Sequence, residues 1–202
     1  MGLEKYMVQE GMVYNFVKGD LNPKRNAFDA KYTADLIDSV FKFRGLGDGT
    51  AYINEETSRL LSGYVSLYLQ VSFDARDKIS KLRNDHPFTA EKKAQVDSLA
   101  NSAAKYLEMG MKQFPTEWRN YWAAAFVYEA AGEKAKAQEV LNRGLENVPA
   151  YEEGGRARLL MSGRQIEQMS DEPLKVEEPT PAEPADSAEK DSAKEPAVVA
   201  AK

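Results

Sequence analysis

The sequence predicts an all-α fold of helical hairpins, with a short N-terminal strand or extended segment and a disordered C-terminal tail. Three observations indicate this class. Apolar residues recur at intervals of three and four between residues 30 and 169, as they do on the buried side of a helix. Capping residues, glycines and prolines divide this stretch into separate helices. After residue 170 the chain contains no aromatic residue and five of its nine prolines.

The N-terminal region, residues 1–88, begins with a short amphipathic segment. A break at Gly11 precedes the run Met12–Val17, which predicts one strand, although a lone strand needs a partner to be stable. Helical spacing then predicts a first helix from Ala30 to Phe43. The apolar face of this helix is expected to contain Leu36, Ile37, Val40 and Phe41.

A longer helix completes the N-terminal region. Asn54 is a favourable N-cap, and Glu55 and Glu56 after it complement the positive end of the helix dipole. The helix is expected to extend to Leu82, because the following residues include Pro87 and other helix-ending types. Its apolar face is expected to contain Leu60, Leu61, Tyr64, Tyr68 and Val71.

The C-terminal region, residues 89–170, predicts four more helices. Thr89 is the expected N-cap of the first of them, Ala90–Gln113. Gly154 and Gly155 are expected to lead into the last helix from outside it. The expected ranges of the remaining three helices are Glu117–Ala131, Lys134–Asn147 and Arg156–Met169.

A repeat signal lies within this region. The stretch from Trp118 to Tyr151 spans about 34 residues, the period of a tetratricopeptide repeat. Ala125 and Ala137 fall where its two helices would cross, and Leu141 occupies a large apolar position. Small residues permit close helix packing, and neighbouring rings fill the space beside them. The preceding stretch repeats only the second half of this pattern. The alternative interpretation is a generic helical hairpin without a binding role.

The first helix of this hairpin supplies the predicted ligand-binding residues. Arg119, Trp122, Phe126 and Glu129 lie off its packing stripe, on a side that a short helical array would present as a shallow concave face. Tryptophan and arginine are enriched among the residues that dominate binding energy at interfaces. The competing interpretation of Trp122 is burial against a neighbouring helix.

Composition and charge exclude several classes of function. The net charge is -5, and residues 171–202 account for it with nine acidic and four basic side chains. The first 170 residues are therefore neutral and lack the basic surface that nucleic acid binding requires. The chain has no cysteine and a single histidine, His86, which is expected to be an exposed turn residue. No catalytic residue, metal site or cofactor is predicted.

Two further patterns have structural explanations. The glycine-rich residues 45–49 lack the lysine and hydroxyl residue of a phosphate-binding loop, so they are interpreted as a helix cap. The acidic pairs at residues 35 and 38, 55 and 56, and 74 and 77 each lie on one predicted helix surface. Acid–base catalysis needs carboxylates with separated pKa values across a cleft, so these pairs are interpreted as solvated charges.

The tail, residues 171–202, is predicted to be disordered, acidic and rich in proline, alanine and glutamate. Such a composition buries too little apolar surface to offset an ordering entropy of about 1–2 kcal/mol per residue. A solvated spacer is the simpler interpretation, and a segment that docks on a partner is the alternative.

Three short stretches in order carry a resemblance to a known family: EGMVY at residues 10–14, VFKFRGL at 40–46 and AYINEET at 51–57. With the repeat, this order resembles the soluble C-terminal region of bacterial protein O-mannosyltransferase-like membrane proteins of the GT-C type, a family of unknown function. The likeness covers roughly residues 3–165. In that family a multi-spanning glycosyltransferase-type part precedes such a region, which ends in tetratricopeptide-like helices.

The resemblance implies a non-catalytic accessory domain. It would be extracytoplasmic (periplasmic), tethered to the membrane through a parent protein, and would contact a polypeptide or the membrane-enzyme portion of that parent. No position in this chain matches a catalytic residue of the family. The alternative is a free-standing tetratricopeptide-type adaptor for protein–protein interaction, which would also fit a cytoplasmic location. An enzyme with an unrecognised site is a third possibility, and it would require a deep polar pocket with perturbed carboxylates.

Overall fold

The computed structural model describes residues 6–17, 28–169 and 175–176, and it confirms the predicted all-α class. In this part of the chain a β-hairpin precedes six α-helices. The strands are β1 (Met7–Glu10) and β2 (Val13–Phe16). The helices are α1 (Ala30–Ser39), α2 (Glu55–Asn84), α3 (Ala90–Gln113), α4 (Trp118–Ala131), α5 (Lys134–Asn147) and α6 (Glu153–Glu167). Apart from residues 175–176, the predicted disordered tail lies outside the described residues.

The N-terminal extended segment is a hairpin, whereas the sequence predicted one strand. β1 and β2 pair antiparallel, with Met7 opposite Phe16 and Glu10 opposite Val13. Gly11 opens the two-residue turn with a φ of 62°, a conformation that glycine adopts at little steric cost. The predicted break at Gly11 is therefore the turn itself, and β1 is the partner that the predicted strand needed.

Helix α1 ends at Ser39, whereas the sequence predicted an end at Phe43. Val40, which was expected on the apolar face, is 58% exposed. The rings of Phe41 and Phe43 both contact Tyr64 of α2 edge to face, with centroid distances of 5.2 and 5.1 Å. Residues two apart point to different sides of a helix, so the chain must leave the helical conformation for both rings to reach Tyr64.

Helix α2 begins at its predicted cap. The side chain of Asn54 accepts a hydrogen bond from the backbone N–H of Thr57 at 2.8 Å. Tyr68 and Val71 are buried as predicted, but Leu60 is 67% exposed. The first two turns of α2 border an open cleft, so the predicted apolar face loses its packing partner there.

Helix α6 begins at Glu153, whereas the sequence predicted a start at Arg156. Gly154 and Gly155 therefore lie inside its first turn. A Cβ atom on Gly155 would lie 2.4 Å from Cδ1 of Trp118, a distance that no real side chain occupies. Because Gly155 has no side chain, α6 can approach the Trp118 ring on α4. Gly155 therefore permits close helix packing and is not part of a linker.

Helix α4 is central, because it packs against α2, α3, α5 and α6. Arg83 near the end of α2 donates to the carbonyl of Ala130 near the end of α4 at 2.6 Å. Lys134, which follows α4, donates to the carbonyl of Met169 just after α6 at 2.8 Å. The C-terminal ends of α2, α4 and α6 therefore lie together at one end of the molecule.

The α4–α5 hairpin meets at small residues, as the repeat pattern predicted. Ala125 and Ala137 are both 0% exposed. A Cβ atom on Gly144 would lie 2.8 Å from Cβ of Tyr121, so the two helices also approach closely there. Leu141 is 1% exposed and belongs to a core shared by α2 through α6. The predicted helical arrangement of this hairpin is confirmed, and its assignment as a tetratricopeptide repeat stays a prediction.

Two hydrophobic clusters stabilise the fold. The larger contains buried residues of α2, α3, α4, α5 and α6. The smaller joins α1 to α2 and α3 through Ile37, Tyr68 and Tyr106. Since α2 contributes to both clusters, it connects the predicted regions 1–88 and 89–170, and the division between them stays a prediction from the sequence.

Burial of Tyr68 predicts a loss of stability at alkaline pH. Burial raises the pKa of Tyr68 from 10.0 to about 12. The unfolded chain then loses this proton first, so the free energy of unfolding decreases as pH rises from 10 towards 12. Tyr68→Phe keeps the ring and removes the titration, so we expect a weaker alkaline loss in urea unfolding. Parallel pH profiles for both proteins would contradict this prediction.

Candidate functional site

The four predicted binding residues share one side of α4. Arg119, Trp122, Phe126 and Glu129 are separated by three or four residues, and each of their side chains is half-buried. The opposite side of the helix carries Tyr121 and the buried alanines of the core. The sequence spacing therefore placed the four residues together, while their role in binding stays a prediction.

A row of aromatic rings runs along this side of α4 and across to α2. The Trp118 and Trp122 centroids lie 6.1 Å apart, and those of Trp122 and Phe126 lie 4.7 Å apart. Phe73 of α2 meets Trp122 at 6.0 Å. All these contacts are edge to face, the geometry that aromatic quadrupoles prefer. We call these four rings, Phe73, Trp118, Trp122 and Phe126, the aromatic face.

Trp122 has features of both a ligand-binding residue and a residue buried against a neighbouring helix. It packs against Phe73 of the neighbouring helix α2, as the burial interpretation required. It is nevertheless only half-buried, so part of its ring remains accessible. Contacts on both sides fix the ring in place, which lowers the conformational entropy that binding would cost.

Arginines border the aromatic face. The guanidinium carbon of Arg76 lies 5.3 Å from the Phe126 centroid, and that of Arg158 on α6 lies 5.8 Å from the Trp118 centroid. Such cation–π contacts stabilise by about 0.5–1 kcal/mol at exposed sites. Among the described residues no carboxylate forms an ion pair with Arg76, Arg83 or Arg158. Arg76 and Arg158 therefore place two cations that have no carboxylate partner among these residues beside the rings.

Arg119 differs from these arginines because it is already paired. Its Nε and Nη2 donate to the two carboxylate oxygens of Glu117 at 2.7 and 2.8 Å. This hydrogen bond raises the pKa of Arg119. Glu117 also accepts from the backbone N–H of Arg119 and caps α4. A ligand at Arg119 would therefore meet a neutral pair and not an isolated cation.

An open cleft of about 950 Å³ adjoins the aromatic face at its N-terminal end. It lies between the glycine-rich loop, the first turns of α2, the start of α4 and the connection between α5 and α6. Trp118 belongs to the aromatic face and also lines the cleft, so the two surfaces are continuous. Tyr151, 80% exposed, stands at the cleft edge.

The glycine-rich loop packs against the C-terminal end of a helix and lines the cleft. A Cβ atom on Gly47 would lie 2.3 Å from the carbonyl oxygen of Lys112, so the loop contacts the C-terminal turn of α3 closely. Asp48 accepts hydrogen bonds from the backbone N–H and hydroxyl of Thr50, which lower its pKa. The loop thus forms one wall of the cleft through its own internal hydrogen bonds. Its predicted role as the cap of α1 is wrong, because α1 ends at Ser39.

The acidic pairs lie on the surface, where several of their carboxylates pair with cations. Asp38 accepts from Lys105 at 2.8 Å, and Asp74 accepts from Lys78 at 2.6 Å. The Lys105 hydrogen bond to Asp38 raises the lysine pKa. Within residues 6–17, 28–169 and 175–176, no group of three or more metal-binding side chains is close enough to hold an ion.

Sequence reasoning missed the residues that other helices bring to this surface. Phe73 and Arg76 are three positions apart on α2, beside the stripe that forms the core. Arg158 lies on α6, one turn after Gly155. The signal for the α2 pair was a second, half-buried stripe that includes Leu69 and Phe73. The position of Arg158 depends on how α6 packs, which no local pattern reveals.

Comparison of this chain with known proteins identifies no relative. No protein-family model matches it, and neither curated proteins nor solved structures yield a match. In the part of the chain that the structure describes, none of the helices combines the length and apolar character needed to cross a membrane. The family assignment therefore stays a prediction from the resemblance.

Proposed function

We propose that this chain is a non-catalytic module that binds a polypeptide on its aromatic face. One observation carries the proposal: the half-buried rings of Trp118, Trp122 and Phe126 form a continuous row bordered by Arg76 and Arg158. Tryptophan and arginine dominate the energy of many protein interfaces. Three packed helices hold these side chains, so the surface is formed before a ligand arrives.

The shape of the surface favours a polypeptide over a small molecule. The row of rings continues into a cleft that is open to solvent, whereas small-molecule sites usually enclose most of their ligand. A chain segment can contact the rings with apolar side chains and the arginines with acidic ones. These features support an interaction surface that follows a segment along α4.

We further propose that the chain is an accessory domain of a membrane glycosyltransferase-like protein, as the resemblance implies. The alternative is a free-standing adaptor. Detection of the native protein in fractionated cells with an antibody to residues 89–170 distinguishes them. A membrane-bound product much larger than 22.6 kDa would support the accessory domain, and a 22.6 kDa product outside the membrane fraction would support the adaptor.

The binding function is tested with a displayed library of random peptides. We expect peptides selected on the wild-type chain to bind Trp122→Ala at least about tenfold more weakly, because hot-spot truncation typically costs 2 kcal/mol or more. Arg158→Gln changes an exposed side chain and should weaken binding without affecting folding. Phe16→Ala, at a ring 66% exposed on β2, is the matched control. Selected peptides that bind all four proteins equally would refute the proposal.

A further inference from the structure

The residues after α6 combine acidic charge with a regular dipeptide. Four of the five prolines after residue 170 directly follow a glutamate. Three of these Glu-Pro pairs lie within residues 171–184, which we call the Glu-Pro segment; they are Glu172-Pro173, Glu178-Pro179 and Glu183-Pro184. Proline fixes its own backbone and restricts the residue before it to extended conformations. Peptides with this pattern favour the polyproline II helix in general.

The aromatic face has the complementary chemistry. Proline-rich segments dock on aromatic-lined surfaces, where their restricted backbone reduces the entropy lost on binding. Carboxylates form strong, geometrically specific hydrogen bonds with arginine. Arg76 and Arg158 stand beside the rings, and no carboxylate among the described residues pairs with them. The surface therefore offers rings for proline and cations for glutamate.

The position of the segment in the chain also fits. The C-terminal ends of α2, α4 and α6 lie together, and the carbonyl of Met169 is held by Lys134 at 2.8 Å. The chain therefore passes residue 169 near the C-terminal end of α4, the helix that carries three of the four rings. Helix α4 has 14 residues and a length of about 21 Å. About seven residues of polyproline II cover that distance, so residues 171–184 are long enough to run along it.

From these observations we propose that the Glu-Pro segment of this chain occupies its own aromatic face as an intramolecular ligand. The proposal rests on the proposed polypeptide-binding function of that face and names its occupant. A short tether gives the segment an effective concentration of about 1 mM, so even a weak interaction is populated. An external ligand binds only molecules whose aromatic face is unoccupied. Its apparent affinity is therefore its intrinsic affinity multiplied by the unoccupied fraction.

The composition of the chain provides a direct reporter. Its two tryptophans, Trp118 and Trp122, both lie in the aromatic face. It has no cysteine, so a single thiol can be introduced into the full-length protein and labelled. A nitroxide on Ala182→Cys would lie next to Glu183-Pro184 and quench tryptophan emission on contact. The same label on Ser98→Cys, exposed on α3, is the control for quenching elsewhere on the protein.

For the label at position 182 we expect tryptophan emission to fall about twofold. This is the value when the segment occupies the face in half of the molecules, as it does when its Kd equals its effective concentration. The loss should be independent of protein dilution. It should disappear in about 1 M salt, where the Debye length is about 3 Å. It should also disappear in Arg76→Gln/Arg158→Gln and in Glu172→Gln/Glu178→Gln/Glu183→Gln.

Several outcomes would overturn the proposal. Quenching that persists unchanged in the glutamine variants would reflect random contact. Quenching that falls on dilution would assign the occupant to a second copy of the chain. If the label causes no quenching but the protein still selects peptides through Trp122, the Glu-Pro segment is not the occupant. The proposed polypeptide-binding function would then stand. Failure of both experiments would remove the function of the face as well.

Discussion

Replacing Leu141 by alanine is expected to lower the free energy of unfolding by about 2–5 kcal/mol. Leu141 is 1% exposed and packs in the core shared by α2 through α6. Truncation removes buried apolar atoms and leaves a cavity that five packed helices cannot close fully. Urea unfolding followed by circular dichroism measures the change, with the slope of the transition as a check on two-state behaviour.

Leu60→Ala is the matched control for this substitution. The sequence pattern placed Leu60 on an apolar face, but it is 67% exposed at the start of α2. A surface change of this kind usually alters stability by no more than about 0.5 kcal/mol. Equal losses for Leu141→Ala and Leu60→Ala would contradict the packing described for both helices.

The helices whose ends depend on local signals were predicted well from the sequence. Thr89 accepts from the backbone N–H of Lys92 at 3.3 Å and fixes the start of α3 at its predicted position. Gly132 adopts a φ of 82° and ends α4 where its left-handed conformation stops the helix. Caps of this type act within one helical turn, so the local sequence is enough to predict them.

The elements that were predicted wrongly depend on distant partners. The end of α1 is set by the rings of Phe41 and Phe43, which reach Tyr64 on another helix. The start of α6 is set by Gly155, which packs under the Trp118 ring. In both cases the local pattern permits several boundaries, and the tertiary contact selects one.

The same distinction separates the predicted and missed parts of the candidate site. Trp122 and Phe126 are one helical turn apart, so their shared side follows from the period of the helix. Phe73 and Arg158 reach the same surface from α2 and α6. The aromatic face is thus a product of how helices pack around α4, and the sequence of α4 indicates only its central row.

Replacing Ala137 by tryptophan is expected to destabilise the protein by about 1–3 kcal/mol, and more if the α4–α5 hairpin separates. Ala137 and Ala125 are both 0% exposed where α4 and α5 pack, so an indole has no space without displacement of one helix. Ala135→Trp is the matched control, because Ala135 is exposed on the same helix. Both variants replace alanine by tryptophan, so both change the helix propensity equally.

The two variants also test whether the hairpin supports the aromatic face. Displacement of α5 moves α4, which carries Trp122, so Ala137→Trp is expected to weaken binding of the selected peptides as well as stability. Ala135→Trp is expected to leave both unchanged. Thermal unfolding by circular dichroism and peptide titration measure the two effects on the same samples. A melting temperature for Ala137→Trp equal to that of Ala135→Trp would refute the close approach of α4 and α5 at small residues.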